Sequence, residues 1–384
     1  MRRSRAPRGY AAGAVNERPA TPGSDLRQPL ALALATILGS YALAWLGYAV
    51  LSDRLPESVL GIWNRWDAVH YLDIARDGYS ADPERRFLIV WLPLYPWLTR
   101  APALLVGDVH LAALLVSGAS YAAALVLLHR LALLDYSAQV AERATLYLAI
   151  FPTAYFLHAA YTEALFLALV LGSFYAARCG RWAWAGALGG LASFTRITAF
   201  GLIPALLVEY LLQNGWRRRK LDSDVLWLGL IPVGFGLYML VTWVELGDPL
   251  AFLEVARERH FKTLAPPWVG VERVWAAAQG AGPRWMLIMT VYEIGLGLAA
   301  LALALAGILR LRASYSVFWL VAWANFGFNS WWISTARYLL VLFPAFLLLA
   351  LWSERRWLHW SLCTFFGSSY VLLMLLYVQG HWTF

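Results

Sequence analysis

One short segment concentrates side chains that can do chemistry. The stretch NRWDAVHYLDIARDGYS, residues 64–80, carries three aspartates, two arginines and a histidine in a chain that is 61% hydrophobic. A helix over this segment is amphipathic and places Asp67 and His70 on one face, because residues three apart are neighbours there. Its two predicted stripes are Ile62, Trp66, Val69 and Leu72, and Trp63, Asp67, His70, Ile74 and Asp77. Such a face can offer a general base, bind a metal ion together with Asp73, or merely solvate a helix at the membrane surface. The spacing matches no recognised metal-ligand pattern, so we expect neither a metal nor a cofactor.

The composition indicates the solvent in which this segment must work. Only 14% of the residues are charged and the mean hydropathy is +0.58, values outside the range of soluble globular proteins. We therefore expect an integral membrane protein with the lipid bilayer as its partner. The net charge of +8 indicates topology and not nucleic acid, because no soluble segment carries a basic stripe with interleaved aromatics. Lysine supplies only two of the 31 basic residues, a bias typical of a GC-rich bacterial genome.

The apolar runs predict an all-α polytopic protein. Residues 1–29 resemble a disordered basic cytoplasmic tail, and residues 30–384 a single transmembrane domain whose first span is retained and not cleaved. Apolar lengths sufficient for a bilayer predict eleven spans. They cover residues 30–51, 110–129, 144–158, 161–178, 182–196, 198–213, 225–245, 286–309, 313–329, 338–352 and 357–380.

Charge gives the predicted orientation. With the N-terminus inside, the cytoplasmic segments hold more than half of the Lys and Arg residues, in agreement with the positive-inside rule. The loops 52–109 and 246–285 are then external, and the second of these resembles a lid. Asp67, Glu163 and Arg196, which are far apart in sequence, converge on the outer face in this topology.

Five segments occur in an order that adds a family resemblance. They read WDAVHYLDIARDGY, WLPLYPWL, FPTAYFLHAAYTEALFLAL, RWAWAGALGGLASFTRITAFGLIPALLVEYL and ARYLLVLFPAFLLLA. Together they span about residues 60–350 and resemble the PIG-V family, the second GPI mannosyltransferase and its bacterial relatives. That family belongs to the GT-C membrane glycosyltransferases, so the resemblance implies a GT-C-like fold with an amphipathic first external loop.

The residues that match the family's motifs are Trp66 and Asp67; Trp91, Pro93, Leu94, Tyr95 and Pro96; Tyr161, Thr162 and Glu163; Thr195 and Arg196; and Arg337 and Tyr338. The resemblance implies a transferase that uses a polyprenyl-phosphate-linked sugar at the non-cytoplasmic face, with a catalytic aspartate in the first external loop. A hexose, by the resemblance mannose, would pass with inversion to a lipid, glycan or protein acceptor. Two mild substitutions, Trp91 where phenylalanine is common and Thr162 where serine is common, leave the donor and the acceptor open.

Such a transfer needs a base for the acceptor hydroxyl and a cationic site for the departing phosphate. Asp67 is the candidate base, and the candidate substrate-binding residues are Trp66, His70, Tyr95, Glu163, Arg196 and Arg337. Guanidinium groups match phosphate oxygens, but Arg196 and Arg337 can instead extend to the interface or pair with Glu163. Glu163 can orient an acceptor hydroxyl, although anchoring Arg196 is the favoured interpretation.

Two functions without glycosyl transfer stay open. In a transporter or flippase for lipid-linked sugars, the same charges would form a gate. Transporters, however, place ionisable groups near the midplane and show repeat symmetry, neither of which this sequence indicates. The other alternative is a membrane assembly protein without chemistry of its own.

Overall fold

The protein is a bundle of α-helices in a computed structural model that describes residues 26–53, 55–56, 58–216, 223–260, 263–280 and 282–383. The helices are α1 (Arg27–Ser52), α2 (Asp67–Asp77), α3 (Leu94–Val106), α4 (Val109–Leu133), α5 (Ala138–Ala149), α6 (Glu163–Arg178), α7 (Trp182–Ser193), α8 (Leu202–Gln213), α9 (Leu230–Leu246), α10 (Ala251–His260), α11 (Pro267–Gly280), α12 (Pro283–Leu287), α13 (Leu296–Gly307), α14 (Ala313–Gly327), α15 (Thr335–Leu340), α16 (Phe343–Trp352) and α17 (Arg356–Val378). A π-helical segment, Ile288–Gly295, leads directly into α13. The described ranges contain no β-strand beyond an isolated bridge between Leu264 and Asn329, so the predicted all-α class is confirmed.

The membrane-spanning character predicted from composition is also confirmed. Among the described residues, five helical segments are long and apolar enough to cross a bilayer: Arg27–Ser52, Val109–Leu133, Ser223–Leu246, Ile288–Gly307 and Arg356–Val378. Shorter apolar helices cover Ile197–Gln213 and Phe343–Trp352. Each of the eleven predicted spans falls on helical residues within the described ranges. How many of them cross stays a prediction.

The structure places the starts of two helices at positions other than those predicted. Residues 1–25 of the predicted tail lie outside the described residues, and α1 begins at Arg27, inside the predicted tail range of 1–29. In the loop 52–109, α2 begins at Asp67 and follows a 3-10 turn at Gly61–Trp63, whereas the two amphipathic stripes read from the sequence begin at Ile62 and Trp63. The stripes fail there because Trp66 has a φ of +54°, which a helix cannot contain. The division into a tail and one domain stays a prediction.

Helix α6 separates two charged clusters. Glu163 opens this helix and Arg178 ends it, so the two are roughly 24 Å apart at 1.5 Å of rise per residue. At the Arg178 end, Arg178 pairs with Asp135, and Arg312 donates from Nε to Glu209 at 2.7 Å. This cluster ties together the ends of α6, α8 and α14 and the turn before α5.

Close backbone contact between α7 and α9 depends on glycine. A methyl group on Gly234 would overlap the carbonyl oxygen of Gly190 and crowd the Ser193 hydroxyl, which donates to the carbonyl of Ile231. Small residues allow such approach between helices that have no hydrophobic drive to associate in lipid. Gly236 lies on the same helix, and no atom lies within 4 Å of the position that a Cβ would take there.

We expect Gly234→Ala to lower the Tm of the purified protein in detergent, because overpacking costs about 1–3 kcal/mol. Gly236→Ala is the matched control and should leave the Tm unchanged or raise it, since alanine favours helix more than glycine. Differential scanning fluorimetry measures both. Equal Tm values for the two variants would contradict the close α7–α9 contact.

Candidate active site

A large cavity opens beside α2. Its volume is about 620 Å³, within the usual range for sites that bind small molecules. Its lining combines charged, amide and aromatic side chains, among them Asp67, Tyr71, Trp91, Arg196, Arg259, Asn325, Asn329, Trp331, Arg337, Tyr338 and Trp382.

A cluster of four alternating charges lies at one wall of this cavity, and three of its members, Asp67, Arg196 and Arg337, line the wall. Arg337 donates from Nη1 to Asp67 Oδ2 at 2.7 Å, and from Nε and Nη2 to Glu163 Oε1 at 2.9 and 2.8 Å. Arg196 donates from Nη1 to the same Glu163 oxygen at 2.8 Å and to Thr162 Oγ1 at 3.0 Å. Two carboxylates therefore balance two guanidinium groups. The predicted convergence of Asp67, Glu163 and Arg196 is present in the structure, and Arg337 joins them.

Asp67 and Arg337, the ion pair at the cavity wall, each lie at or near the start of a helix that follows a residue with positive φ. Asp67 is the first residue of α2 and follows Trp66, whose φ is +54°; Arg337 lies in α15, which follows Ser334, whose φ is +65°. A side chain other than glycine adopts such φ values at a cost, and they persist where the surrounding structure enforces them. The backbone is thus strained immediately before each helix that delivers a member of the ion pair.

Glu163 supports the arginines from below and does not face the cavity. Its side chain is completely buried at the start of α6, where the positive end of the helix dipole favours a carboxylate. Its Oε2 has no hydrogen-bond partner among the described residues. An acceptor molecule in the cavity cannot reach this carboxylate, so the geometry is that of an anchor for Arg196 and Arg337.

The two arginines differ in what they can still bind. Every guanidinium nitrogen of Arg337 donates to Asp67 or Glu163, and the group lies 4.7 Å from the centre of the Tyr161 ring. Arg196 donates only from Nη1 in the described structure, which leaves its Nε and Nη2 groups available. Arg196 also lines the cavity, so it is the better placed of the two to receive an anion.

His70 lies one turn after Asp67 but outside the residues that line the cavity. Its ring packs against Trp91 at 4.3 Å and Phe87 at 5.2 Å between centroids. Burial lowers the pKa of His70, against the opposing charges of Asp67 and Asp73. The imidazole is therefore neutral at pH 7. In the described part of the chain, no group of three or more His, Cys, Asp or Glu residues is arranged to hold a metal ion.

Two other predicted binding residues also lie away from the cavity lining. Tyr95 is almost fully buried, and its hydroxyl lies 3.0 Å from the Ala113 carbonyl and 2.8 Å from Ser117 Oγ. It packs α3 against α4, because the motif's two prolines start a helix there instead of opening a surface loop. Trp66 is partly exposed and meets Trp382 edge to face at 5.0 Å. Only Trp382 of that pair lines the cavity.

Several cavity residues escaped the sequence interpretation. Tyr71 points its hydroxyl to within 3.3 Å of Thr162 Oγ1, and Tyr338 lies under Arg196 at 5.6 Å from its ring centre. The sequence did point to Tyr338, because it follows Arg337 directly in a segment that matches the family's motif. Nothing in the sequence singled out Tyr71. Among the charges of the loop 246–285, the structure brings Arg259 to the cavity.

Helix α10 covers part of the opening. Arg86, in the loop 52–109, pairs with Glu254 of α10, and the Arg259 guanidinium lies 5.7 Å from the Phe87 ring centre. After α10, Thr263 donates from its backbone to Ser330 Oγ at 3.0 Å, and Ser330 returns a backbone hydrogen bond to Thr263 at 2.9 Å. These contacts join the loop 246–285 to both sides of the cavity.

Comparison with known proteins matches part of the chain to one family. Residues 92–243 match the family of dolichyl-phosphate-mannose-protein mannosyltransferases. No curated protein matches the chain. The family match supports a membrane glycosyltransferase of the GT-C mannosyltransferase type with a lipid-linked sugar donor. It includes Glu163 and Arg196 but neither Asp67 nor Arg337, and it does not reach the finer PIG-V resemblance.

We expect Glu163→Gln to destabilise the protein strongly, because it leaves two buried cations with one carboxylate between them. Removing one partner of a buried pair costs about 3–5 kcal/mol. Glu254→Gln removes a carboxylate from the exposed pair with Arg86 and should change the Tm little. Thermal unfolding in nanodiscs compares the two. A Glu163→Gln protein as stable as wild type would argue against the anchoring role.

Proposed function

We propose that this protein is a glycosyltransferase that moves a hexose from a polyprenyl-phosphate carrier to an acceptor hydroxyl. In keeping with the PIG-V resemblance, we take mannose as the donor sugar. The proposed setting is a bacterial plasma membrane, with the N-terminus in the cytoplasm and the cavity at the outer face. The acceptor is a lipid, a glycan or a protein.

The observation that carries this proposal is one cavity wall where a carboxylate and a guanidinium group are both accessible. Asp67 has about a third of its side chain exposed (32%) and lines the cavity together with Arg196. A transfer from a sugar phosphate requires these two charges, one to take a proton and one to hold the leaving group. The family match to transferases that use a lipid-linked mannose supports the same chemistry.

The proposed step is a single displacement with inversion. An acceptor oxygen attacks the anomeric carbon from the face opposite the phosphate, and Asp67 takes the hydroxyl proton as the new carbon–oxygen bond forms. The bond between the anomeric carbon and the phosphate oxygen breaks, and its electron pair leaves with the polyprenyl phosphate. The leaving phosphate is stable as an anion, so the step needs no general acid.

The two arginines take separate roles in this proposal. Arg196 binds the phosphate through Nε and Nη2 and stabilises the charge that the phosphate gains as the bond breaks. Arg337 holds Asp67 at the cavity wall through its 2.7 Å bond and is itself fixed by Glu163. A base held in one orientation loses less entropy when the acceptor approaches.

One prediction of this proposal concerns the base. Asp67→Asn is nearly isosteric but cannot accept the proton, so we expect it to lower transfer by roughly 100-fold or more. Membranes that contain the wild type or a variant receive labelled polyprenyl-phosphate mannose or, separately, polyprenyl-phosphate glucose. Labelled lipid, glycan and protein products are then measured at equal expression. Asp73→Asn, on the same helix and paired only with the exposed Arg76, is the control and should retain activity.

Two outcomes would count against the proposal. Equal activity in Asp67→Asn and wild type would remove Asp67 as the base. Absence of product from both donors, in membranes that contain the natural acceptors, would argue against transfer and favour a transporter of lipid-linked sugars.

The second prediction concerns orientation. Cys179 is exposed at the predicted cytoplasmic end of α6, and Ala81 is exposed in the loop that we assign to the outer face. In a Cys363→Ser background, a membrane-impermeant maleimide added to spheroplasts should label Ala81→Cys but leave Cys179 unlabelled until the membrane is opened. The reverse labelling pattern would place the cavity in the cytoplasm and exclude an extracytoplasmic acceptor.

A further inference from the structure

One buried carboxylate takes no part in the proposed transfer. Glu293 lies in the π-helical segment Ile288–Gly295, within an apolar stretch long enough to cross a bilayer, and its side chain is completely buried. A carboxylate within a bilayer span is costly unless it is paired or hydrogen-bonded. Ionisable groups in spans are therefore a default hypothesis of function, and π-helical turns also occur frequently at functional sites.

Three hydrogen bonds join Glu293 to one short segment. Its Oε1 accepts the backbone N–H of Ser334 at 3.0 Å, and its Oε2 accepts the backbone N–H of Thr335 at 2.9 Å. The Thr335 hydroxyl donates to the Glu293 carbonyl at 3.2 Å. Both oxygens of one carboxylate thus hold two successive backbone amides of a different helix.

That segment carries the arginine of the charged cluster. Ser334 has the left-handed φ of +65°, and its carbonyl accepts the backbone N–H of Arg337 at 3.0 Å. Arg337 lies two residues after Thr335 in α15, and Ser334 and Arg337 both line the cavity. The path from Glu293 to Asp67 therefore runs through two backbone amides, one helical turn and one guanidinium group.

The neighbouring packing fixes the same segment from one side. Trp332 is completely buried, donates from its indole nitrogen to the Gly327 carbonyl at 3.0 Å, and lies so close to Gly297 of α13 that a methyl group there would overlap its ring. This packing locates the chain before α15. The two amide bonds to Glu293 hold the residues at the start of α15 itself.

We propose that Glu293 is a positioning residue for sugar transfer: its carboxylate holds Ser334 and Thr335 so that Arg337 meets Asp67. This inference rests on the proposed function, in which Arg337 orients the base. It extends the site from the cavity wall into the span that ends in α13. Loss of the carboxylate would misplace Arg337 without touching the phosphate site of Arg196.

The test separates positioning from general stability. We expect Glu293→Ala to lower kcat by roughly 10-fold to 100-fold, since displacement of a reacting group by about 1 Å has effects of that size. The KM for the polyprenyl-phosphate sugar should change less than about threefold, because the uniform binding of the donor is not altered. Glu293→Gln retains one carbonyl oxygen for one of the two amides, so its kcat should lie between those of Ala and wild type.

The chain offers a matched control at the other end of the bundle. Glu209 is also completely buried, and it accepts from Arg312 at 2.7 Å and from Ser314 at 2.8 Å. Glu209→Gln removes a buried carboxylate far from the cavity and should lower the Tm but leave kcat unchanged. All values are expressed per folded protein, measured as the monodisperse fraction in size-exclusion chromatography, at a temperature well below the lowest Tm.

Each result has a defined meaning. Glu293→Gln and Glu293→Ala with the kcat of wild type, or with a loss no greater than that of Glu209→Gln, would overturn the positioning role. If Glu293→Ala does not fold, Glu293→Gln decides alone by the same comparison. A folded wild type that transfers no sugar would instead defeat the proposed function, and an active wild type with fully active Glu293 variants defeats only this inference.

Discussion

The hydrogen-bonded ion pairs of Arg337 with Asp67 and Glu163 are the constraint on which the cavity depends. This one guanidinium group contacts carboxylates from α2 and α6, so it joins the loop 52–109 to the helical bundle. Each ion removed from water costs several kcal/mol, which attraction offsets only where the geometry is good and all partners are present. The cluster meets that condition with two carboxylates and two guanidinium groups. Loss of Arg337 would remove the bond that joins Asp67 to this cluster.

The membrane explains why the charges gather at two levels. Glu163 and Arg178 lie at opposite ends of α6, so one cluster forms the cavity wall and the other ties α6, α8 and α14 at the far end. The helix between them is apolar and almost wholly buried in the bundle. Charges in lipid must pair or reach an interface. One end of α6 thus carries a closed structural network, and the other end carries a network that opens onto a cavity.

Backbone strain and buried polar support coincide at this cavity. Trp66 and Ser334 both have positive φ values and stand directly before the helices that deliver Asp67 and Arg337. Strain of this kind persists only where neighbouring contacts hold it, and it concentrates at functional sites. At Ser334 the holding contact is the Glu293 carboxylate. The cost of burying that carboxylate is thereby tied to the geometry of the ion pair.

The sequence alone determined the solvent, the helical class, and that Asp67, Glu163 and Arg196 converge. These follow from apolar length and from the distribution of charge, which are local properties of the chain. Only the tertiary structure decided that Glu163 is an anchor below the cavity, that Tyr95 is a packing residue and that Arg196 keeps donors available. Burial and hydrogen-bond saturation depend on neighbours from distant segments. Glu293 illustrates the division: its charge within an apolar span was visible in the sequence, but its partners became visible only once α13 and α15 were packed together.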